Sequence, residues 1–395
     1  MKIVHLMGYF VPEFGYQEYY LAKKHKQMGH DVYVIASDML YPFSNIEKMF
    51  KDSGIKYTGR KREKSFSIID GLKVYWLPHY IEYNDFILCK GVKKTLEKIK
   101  PDIVFAHESR QGLSCQAAFY KDSLGFELVV DQHDFYHKIP GKIKTLLRNI
   151  EYFGFRKFLI DYNFRKADKI IAVTKPTREF LIKSHKVNPK KIELIELGVD
   201  TDLYYYRKNE AIKLRKKLGI KKDEVILMFV GTIFRRKNLE LLMNAFNEIY
   251  KDYETTLLIV GEGDKEYMNE LKSLSKKLKL GNKIIFNGFA KRKELPVYYS
   301  MADIGVWPAN NSVSIIEAMA CKLPIVMVDW QMPHLVSHNN GFKFPFNNKK
   351  MLKQCLIKLI KDKGLRQKMG ENSYNAAVKY YSYRAIAKRF LEAAK

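Results

Sequence analysis

The segment VILMFVGTIFRRKNLELLMNAF, residues 225–246, gives the clearest indication of the fold class of this chain. Its first six residues are all apolar, a run that suits a strand buried on both faces of a sheet. Gly231 ends the strand, a basic loop follows, and apolar residues then recur at helical spacing over Asn238–Tyr250. A buried strand joined to a helix in this way is the repeating unit of a parallel α/β sheet.

The same unit recurs on both sides of this stretch. Before it come KIVHLMGY, a helix over Glu18–Met28, and the apolar segments DVYVIAS, KVYWLP, DIVFAH, ELVVDQH and KIIAVT. After it come TLLIVG, KIIFNGF, DIGVWP and PIVMVD, and a charged connector over Tyr204–Lys222 separates the two series. The sequence therefore predicts two facing, doubly wound (Rossmann-like) α/β domains. They span residues 1–203, completed by a C-terminal helix at 383–395, and residues 204–382.

The composition excludes several classes of protein. Of 395 residues, 47% are hydrophobic, which is enough to form cores and excludes a mainly disordered chain. The sequence contains no run of about 18 apolar residues, so it predicts no membrane-spanning helix. The opening segment is interpreted as a strand instead of a signal peptide. The four cysteines are widely spaced, without a CxxC pair. We therefore expect a cytoplasmic protein without a disulfide or zinc framework.

The charge is unusual, because 70 Lys and Arg stand against 43 Asp and Glu, a net charge of +27. The window from Lys138 to Lys190 holds 14 basic and 4 acidic residues. Its aromatic residues alternate with cations, which suits peripheral binding to an anionic membrane on the inner face. A core-packing helix with a basic outer face explains the window equally well, and a lysine-rich surface would need no partner. The sequence contains no recognisable nucleic-acid-binding module, so we expect no nucleic acid partner.

In open α/β sheets, ligands bind beyond the carboxyl ends of the strands, so the residues after each strand are candidates. The basic loop Arg235, Arg236 and Lys237 lies between a strand and a helix. Cations beside the unpaired N–H groups of a helix N-terminus favour an anion such as a diphosphate. The alternative is a solvated basic turn.

The second candidate is NNSVSIIEAMACKLPIVMVD, residues 310–329. Ser314 and Glu317 fit the S-x-x-E capping box that opens a helix. Alternatively, Glu317 accepts hydrogen bonds from ribose hydroxyls, and the backbone around Ser312–Ser314 meets a phosphate.

Further candidates lie in the first series. Gly15, in PEFGYQE, either allows the backbone to approach a ligand closely or serves as a turn glycine. His107 and His133 each follow an apolar strand, a position where binding residues gather. A lone histidine is more often structural, but two at matching positions favour a site. GEGDKE lacks the third glycine of a dinucleotide motif, and Asp200 and Asp202 are interpreted as an incidental DxD pair.

Taken in order, these segments resemble the two-domain GT-B glycosyltransferases, specifically the retaining enzymes of family 4 (group 1). The resemblance rests on nine segments that span nearly the whole chain. They are PEFGYQEYYLAKKHKQMGHDVYVI, PDIVFAHES, ADKIIAVT, ELGVDTDLY, VGTIFRRKN, LLIVGEGD, IIFNGF, ADIGVWP and SVSIIEAMACKLPIV. It implies transfer of a sugar from a UDP- or GDP-sugar to a carbohydrate or lipid-linked hydroxyl acceptor.

The resemblance also implies roles for individual residues. Lys237 and Arg236 would neutralise the departing diphosphate without a metal ion or cofactor, and His133 would lie near the transferred sugar. Glu317 would bind the ribose. The other implied donor-binding residues are Gly15, Gly231, Thr232, Arg235, Asn310, Ser312, Val313 and Ser314. On the acceptor side the implied residues are Tyr16, Gln17 and His107.

The sequence departs from the family pattern at three places. Ala309 replaces the acid usually found eight residues before Glu317, and Thr232 replaces an arginine. DWQMPHL, residues 329–335, lacks the usual glycine pair. A non-catalytic relative that binds a nucleotide sugar or acts as a scaffold is therefore the alternative.

Overall fold

A computed structural model describes residues 1–133, 156–309, 312–330 and 332–395 of the chain. Contacts among these residues divide them into two compact units. The first comprises Met1–Leu197 with Ile386–Lys395, and the second comprises Gly198–Ala385. The division falls after Leu197, whereas the sequence predicts it after Leu203.

The first unit is built on an eight-stranded sheet. Its strands are β1 (Lys2–Met7), β2 (Asp31–Ser37), β3 (Phe66–Ile69), β4 (Leu72–Leu77), β7 (Ile103–Ala106), β8 (Glu127–Gln132), β9 (Lys169–Ala172) and β10 (Ile192–Leu194). Their order in the sheet is β10-β9-β8-β7-β1-β2-β4-β3. Its helices are α1 (Gln17–Gln27), α2 (Ile46–Asp52), α3 (Val92–Ile99), α4 (Gly112–Leu124), α5 (Lys157–Lys166) and α6 (Lys175–His185). All the paired strands are parallel except β3, which runs antiparallel to β4.

Two antiparallel elements of the first unit are not predicted by the sequence pattern. β3 and β4 are joined through Asp70 and Gly71, which both have positive φ angles, of 49° and 79°. β5 (His79–Tyr83) and β6 (Phe86–Cys89) form a separate hairpin. An Asp-Gly pair between apolar runs is a strong hairpin signal, so the first of these turns was legible.

The last helix, α14 (Tyr383–Ala393), packs on the first unit. Ile386, Ala387 and Phe390 on this helix are buried in a cluster with Ile3 of β1 and Val32 of β2. The chain therefore returns to cover one face of the first sheet. Polar contacts accompany this packing, since the Arg389 guanidinium donates to the carbonyl oxygen of Leu194 at 2.6 Å.

The second unit has a six-stranded, fully parallel sheet. Its strands are β11 (Val225–Val230), β12 (Thr255–Val260), β13 (Ile284–Gly288), β14 (Ile304–Trp307), β15 (Ile325–Val328) and β16 (Gly341–Phe344). Their order in the sheet is β13-β12-β11-β14-β15-β16. Its helices are α7 (Lys208–Lys217), α8 (Leu239–Asn247), α9 (Lys265–Lys277), α10 (Leu295–Met301), α11 (Ser314–Ala320), α12 (Lys349–Lys361) and α13 (Lys363–Ala376). Every residue of β11, β12, β14 and β15 is buried, as expected for a sheet covered on both faces.

Each sheet contains a switch point, at which the connections from two neighbouring strands lead in opposite directions along the sheet. In the second unit this switch point lies between β11 and β14, and in the first it lies between β1 and β7. The loops that leave the carboxyl ends of such neighbouring strands diverge and leave a crevice for ligands. These two strand pairs therefore indicate where sites are expected.

Among the residues that the structure describes, no helix combines the length and apolar composition needed to cross a bilayer. Residues 134–155, which form a large part of the basic window, lie outside the described residues.

Candidate functional site

The basic loop follows β11 directly at the switch point of the second unit. Residues Arg235–Lys237 form a short 3-10 turn, and Asn238 then adopts the left-handed conformation before α8 begins. The loop after β12 lies against this segment because Gly261 and Gly263 have no side chains. A Cβ atom on Gly261 would lie 2.0 Å from the carbonyl oxygen of Gly231. The glycines of GEGD therefore serve close backbone packing, a function that the sequence did not indicate.

Lys237 differs from its two basic neighbours because it is buried, with only 6% of its surface exposed. Burial, reinforced by the nearby charge of Arg236, lowers the pKa of Lys237 to about 8. A desolvated ammonium group gains more from an anionic ligand than a solvated one does. The interpretation as a solvated basic turn therefore does not describe Lys237.

Arg235 and Arg236 have different environments. The guanidinium of Arg235 makes an ion pair with Glu270 of α9 and lies 5.4 Å from the ring centre of Tyr267. Its charge is therefore balanced within the protein. Arg236 is exposed, and its guanidinium lies over the ring of Phe234 at 5.4 Å. The environment of Arg236 therefore favours its predicted role beside Lys237, whereas the environment of Arg235 does not.

The start of α11 is fastened to the end of β11. The Ser314 hydroxyl donates to the carbonyl oxygen of Val230 at 2.9 Å. The indole N–H of Trp307, at the end of β14, lies 3.0 Å from the Ser314 oxygen and 3.2 Å from the same carbonyl. These contacts bring the segments 231–237 and 312–317 to adjacent strand ends on both sides of the switch point.

Glu317 does not form the predicted capping box. Val313, which has no side-chain acceptor, occupies the N-cap position of α11, and Ser314 is bonded to Val230 instead. The capping-box interpretation is wrong because the Glu317 carboxylate turns to Tyr299, whose hydroxyl donates to it at 2.9 Å. Burial raises the pKa of Glu317, while the nearby hydroxyls of Tyr204 and Tyr299 oppose that rise. The sequence did not indicate either tyrosine.

The remaining predicted residues of the second unit are placed as follows. Thr232 is exposed, Gly231 is partly buried, and Ser312 and Val313 are partly exposed beside α11. Ala309 is buried, with 2% of its surface exposed, and it offers only a methyl group where the family has an acid. Asn310 lies outside the described residues.

Gly15 in the first unit has a structural role that can be identified. It ends the 3-10 turn Pro12–Phe14 in the left-handed conformation, with φ of 61°, and its N–H donates to the Pro12 carbonyl. A side chain at this position would be strained. The turn-glycine interpretation is therefore correct, and close approach of a ligand stays a prediction. Tyr16 packs edge-on against Tyr41, and Gln17, the first residue of α1, is buried.

His133 follows β8 and faces two carboxylates. Its Nε2 lies 3.6 Å from Asp131, and its Nδ1 lies 4.0 Å from Glu108. Burial acts to lower the pKa of His133, but Glu108, Asp131 and Glu18 outweigh it and raise the pKa to about 10. His133 is therefore an imidazolium at neutral pH. Because Glu18 belongs to α1, its influence shows that the start of this helix lies near His133.

His107 also lies beside Asp131 but is enclosed. Its Nδ1 is 2.5 Å from Asp131, its Nε2 is 2.9 Å from His5, and 2% of its surface is exposed. Both ring nitrogens are thus engaged within the protein, so its surroundings favour support of Asp131 over contact with an acceptor. Glu108 follows with a positive φ of 65°, which aims its N–H at Asp131 at 2.7 Å.

The sequence pattern missed the residues behind this cluster. His5 lies within the apolar strand KIVHLM and His25 within the helix segment KKHKQ, and both are fully buried. A histidine in an apolar strand is an unusual core residue, and this was the available signal. Among the described residues, no group of three or more His, Cys, Asp or Glu could hold a metal ion.

Family models match most of the chain. The model for Glycosyltransferase Family 4 matches residues 18–203, and the model for Glycosyl transferases group 1 matches residues 210–376. The first match lies in the first unit apart from residues 198–203, and the second match lies within the second unit.

Individual proteins give a similar picture. An uncharacterized glycosyltransferase of Methanocaldococcus jannaschii is 26% identical over 99% of this chain and 97% of its own. The alpha-monoglucosyldiacylglycerol synthase of Acholeplasma laidlawii is 26% identical over 76% of this chain and 72% of its own. The solved structure of Anabaena HepE in complex with UDP has a TM-score of 0.71 at 18% identity, covering 99% of each chain. This last likeness shows the fold.

Proposed function

The chain belongs to the group 1 glycosyltransferases and has their GT-B fold, and we propose that it is a retaining enzyme that moves a sugar from a nucleotide-sugar donor to a hydroxyl acceptor. The observation that carries this proposal is the pairing of a buried cation with an anchored carboxylate at one switch point. Lys237 follows β11, and Glu317 follows its neighbour β14. A nucleoside diphosphate offers a complementary pair of groups, an anionic diphosphate and a ribose with two hydroxyls.

In this proposal Lys237 binds the diphosphate and Arg236 assists it from the exposed side of the loop. Glu317, held by Tyr299, accepts hydrogen bonds from the ribose hydroxyls. Uridine is the proposed base, because HepE, which shares the fold, binds UDP. Ala309 cannot hydrogen-bond the transferred sugar, so recognition of that sugar rests on other residues.

The proposed chemistry breaks the bond between the anomeric carbon and the diphosphate oxygen. The acceptor hydroxyl forms the new bond on the same face, and the departing phosphate oxygen takes its proton. No protein base and no metal ion is required, because Lys237 compensates the negative charge that develops on the leaving group. Fixed charges of this kind typically contribute several kcal/mol to a rate. The His133 imidazolium is proposed to lie beside the transferred sugar.

The proposed acceptor is a lipid-linked hydroxyl. The name of the Acholeplasma laidlawii relative describes the synthesis of a glucosyl-diacylglycerol. Within the described part of the basic window, Phe158 of α5 has 62% of its surface exposed among lysines and arginines. An exposed aromatic residue among cations suits an anionic bilayer surface. The glycosyltransferase relatives do not favour a non-catalytic role for the chain.

The proposal is tested by incubating the purified protein with UDP- and GDP-sugars and diacylglycerol in anionic vesicles. We expect release of a nucleoside diphosphate together with a glycolipid product whose anomeric configuration matches that of the donor. The reaction should persist in the presence of a metal chelator. Product with the opposite configuration would refute retention, and tight nucleotide binding without product would favour the non-catalytic alternative.

A further inference from the structure

A continuous row of buried side chains runs behind His133 through the first unit. His25 Nε2 lies 2.9 Å from the carbonyl oxygen of Ala387 in α14, and His25 Nδ1 lies 3.0 Å from His5 Nε2. His5 Nδ1 lies 2.9 Å from His107 Nε2, and His107 Nδ1 lies 2.5 Å from Asp131. None of the four side chains is more than 2% exposed. We call His25, His5 and His107 the histidine relay.

The carbonyl at one end fixes the direction of every hydrogen bond in the relay. A carbonyl oxygen only accepts, so His25 Nε2 carries a proton and donates it to Ala387. A neutral His25 then accepts at Nδ1 from His5, and a neutral His5 accepts at Nδ1 from His107. The four hydrogen bonds therefore need four protons, whereas three neutral imidazoles hold three. The fourth proton must lie between His107 and Asp131.

Because Asp131 is the ionised partner, the hydrogen-bond count assigns this proton to His107. Burial acts to raise the pKa of Asp131, but His107 and His133 outweigh it and hold that pKa below its usual range. Burial lowers the pKa of His25 to about 4, and burial together with His25 and His107 lowers that of His5. The imidazoles of His5 and His25 are therefore neutral. The ion pair of a His107 imidazolium with the Asp131 carboxylate leaves the relay and Asp131 together without net charge, as burial requires.

The charged groups around the relay agree with this assignment. Asp131 faces His107 on one oxygen, and on the other it faces His133 and the N–H of Glu108. The Glu108 and Glu18 carboxylates act on His133, and His30 lies beside His25 at the far end. Phe105, a residue of β7, packs against both His5 and His25 and contributes no charge there.

We propose that the histidine relay is a set of positioning residues, which fixes the Asp131 carboxylate toward His133 through the bond of His25 to α14. This inference rests on the proposed function, because it acts through His133. The directed hydrogen bonds of the relay thus link the C-terminal helix to His133 through Asp131.

Loss of the His25 side chain should change the protonation of the relay in a specific way. In a His25→Leu variant, His5 loses its acceptor and is free to donate from Nδ1 to His107. A neutral His107 then satisfies Asp131 through its own Nδ1–H, and the fourth proton is no longer needed. His25→Gln is the matched conservative variant, because its amide can donate to Ala387 and accept from His5.

The experiment measures nitrogen-15 NMR signals of labelled histidine in the full chain near neutral pH, with assignment by single His→Gln variants. We expect both His107 nitrogens to carry protons in the wild type, while His5 and His25 are neutral with a proton on Nε2. His25→Leu should convert His107 to the neutral form, and His25→Gln should restore the imidazolium. His30→Gln, a neighbour outside the relay, should change neither His107 nor His133.

Steady-state kinetics supply the second measurement. His25→Leu should lower kcat roughly tenfold, the effect of losing one charge-assisted hydrogen bond, with little change in the KM for the donor. His25→Gln should recover most of kcat. If His25→Leu does not fold, His107→Asn replaces it, because asparagine keeps a donor to Asp131 but carries no charge.

The outcomes separate the two proposals. A neutral His107 in the wild type, or an unchanged imidazolium in His25→Leu, overturns the relay. An equal loss of kcat in His25→Leu and His25→Gln also overturns it. A wild type that transfers no sugar but shows the expected protonation overturns the proposed function alone, since the NMR measurement needs no substrate.

Discussion

Lys237 in the second unit and His133 in the first are both cations at the carboxyl ends of parallel strands, yet their surroundings act on them in opposite ways. Burial and Arg236 lower the pKa of Lys237 to about 8. Glu108 and Asp131 raise the pKa of His133 to about 10 in spite of burial. The protein thus holds one cation at an energetic cost and stabilises the other. An anionic ligand would therefore raise the pKa of Lys237 toward its usual range, whereas neighbouring carboxylates already hold the pKa of His133 high.

The largest expected effect is on catalysis. Lys237→Ala should lower kcat by about 100- to 1,000-fold, the usual cost of removing one preorganised group that stabilises developing negative charge. Initial rates with the best donor from the nucleotide-sugar panel measure it. Lys222→Ala, which removes an exposed lysine, is the control and should keep the wild-type rate. Equal rates in Lys237→Ala and the control would remove Lys237 from the mechanism.

The second effect is on nucleotide affinity. An anionic diphosphate favours the charged form of Lys237, so UDP affinity should fall as the pH rises through about 8, by up to about tenfold per pH unit. Calorimetric titrations of the wild type between neutral and alkaline pH measure this dependence. In Lys237→Met the dependence should disappear. An affinity that stays constant across this range would contradict the assigned role of the lowered pKa.

The third effect tests the comparison through stability. The raised pKa of His133 contributes stability to the first unit that is complete below about pH 6.5, its unfolded pKa, and is lost as the pH rises through about 10. The lowered pKa of Lys237 has the opposite sign. The unfolded lysine binds more protons between about pH 8 and 10.4, so the contribution of Lys237 to stability rises over that range.

Hydrogen exchange followed by mass spectrometry can measure this for each unit separately. The difference between the wild type and His133→Asn should show a contribution to stability that declines by up to about 1.4 kcal/mol per pH unit. The difference between the wild type and Lys237→Met should show a contribution that rises with the pH at up to the same slope. Two contributions of the same sign would contradict the opposite effects of the surroundings on these two residues.

The smallest expected effect concerns the anchor of Glu317. Tyr299→Phe removes one hydrogen bond to this carboxylate and should weaken UDP binding by about three- to tenfold. Tyr298→Phe is a matched control on the same helix, because the Tyr298 hydroxyl bonds to Asn287 instead. Unchanged UDP affinity in Tyr299→Phe would show that Glu317 needs no support from α10.

Much of the fold could be predicted because the strands are legible as apolar runs. The helix predicted over Glu18–Met28 is found at Gln17–Gln27, and the helix predicted over Asn238–Tyr250 is found at Leu239–Asn247. Periodicity identifies such elements because each buries one face or both. The antiparallel strand Phe66–Ile69 was missed because it is short and half-exposed, although its Asp-Gly turn gave a signal.

The site was less predictable, because its properties depend on residues far apart in the chain. The sequence placed Ser314 and Glu317 in a capping box, but Val230 and Tyr299 compete successfully for their polar groups. Arg235 was grouped with Lys237 from adjacency, yet Glu270, thirty-five residues later, balances its charge. Local spacing cannot indicate such partners.

Patterns in the amino-acid sequence are sufficient to specify the class of this protein. Apolar strands alternating with helices specify two parallel sheets, and the order of nine motifs specifies the glycosyltransferase family. The electrostatic state of the candidate site, in contrast, depends on how the chain folds. The lowered pKa of Lys237, the raised pKa of His133 and the direction of the histidine relay arise from burial and from contacts across the fold. Those quantities depend on which groups are brought together in a low dielectric, and a linear pattern does not contain that information.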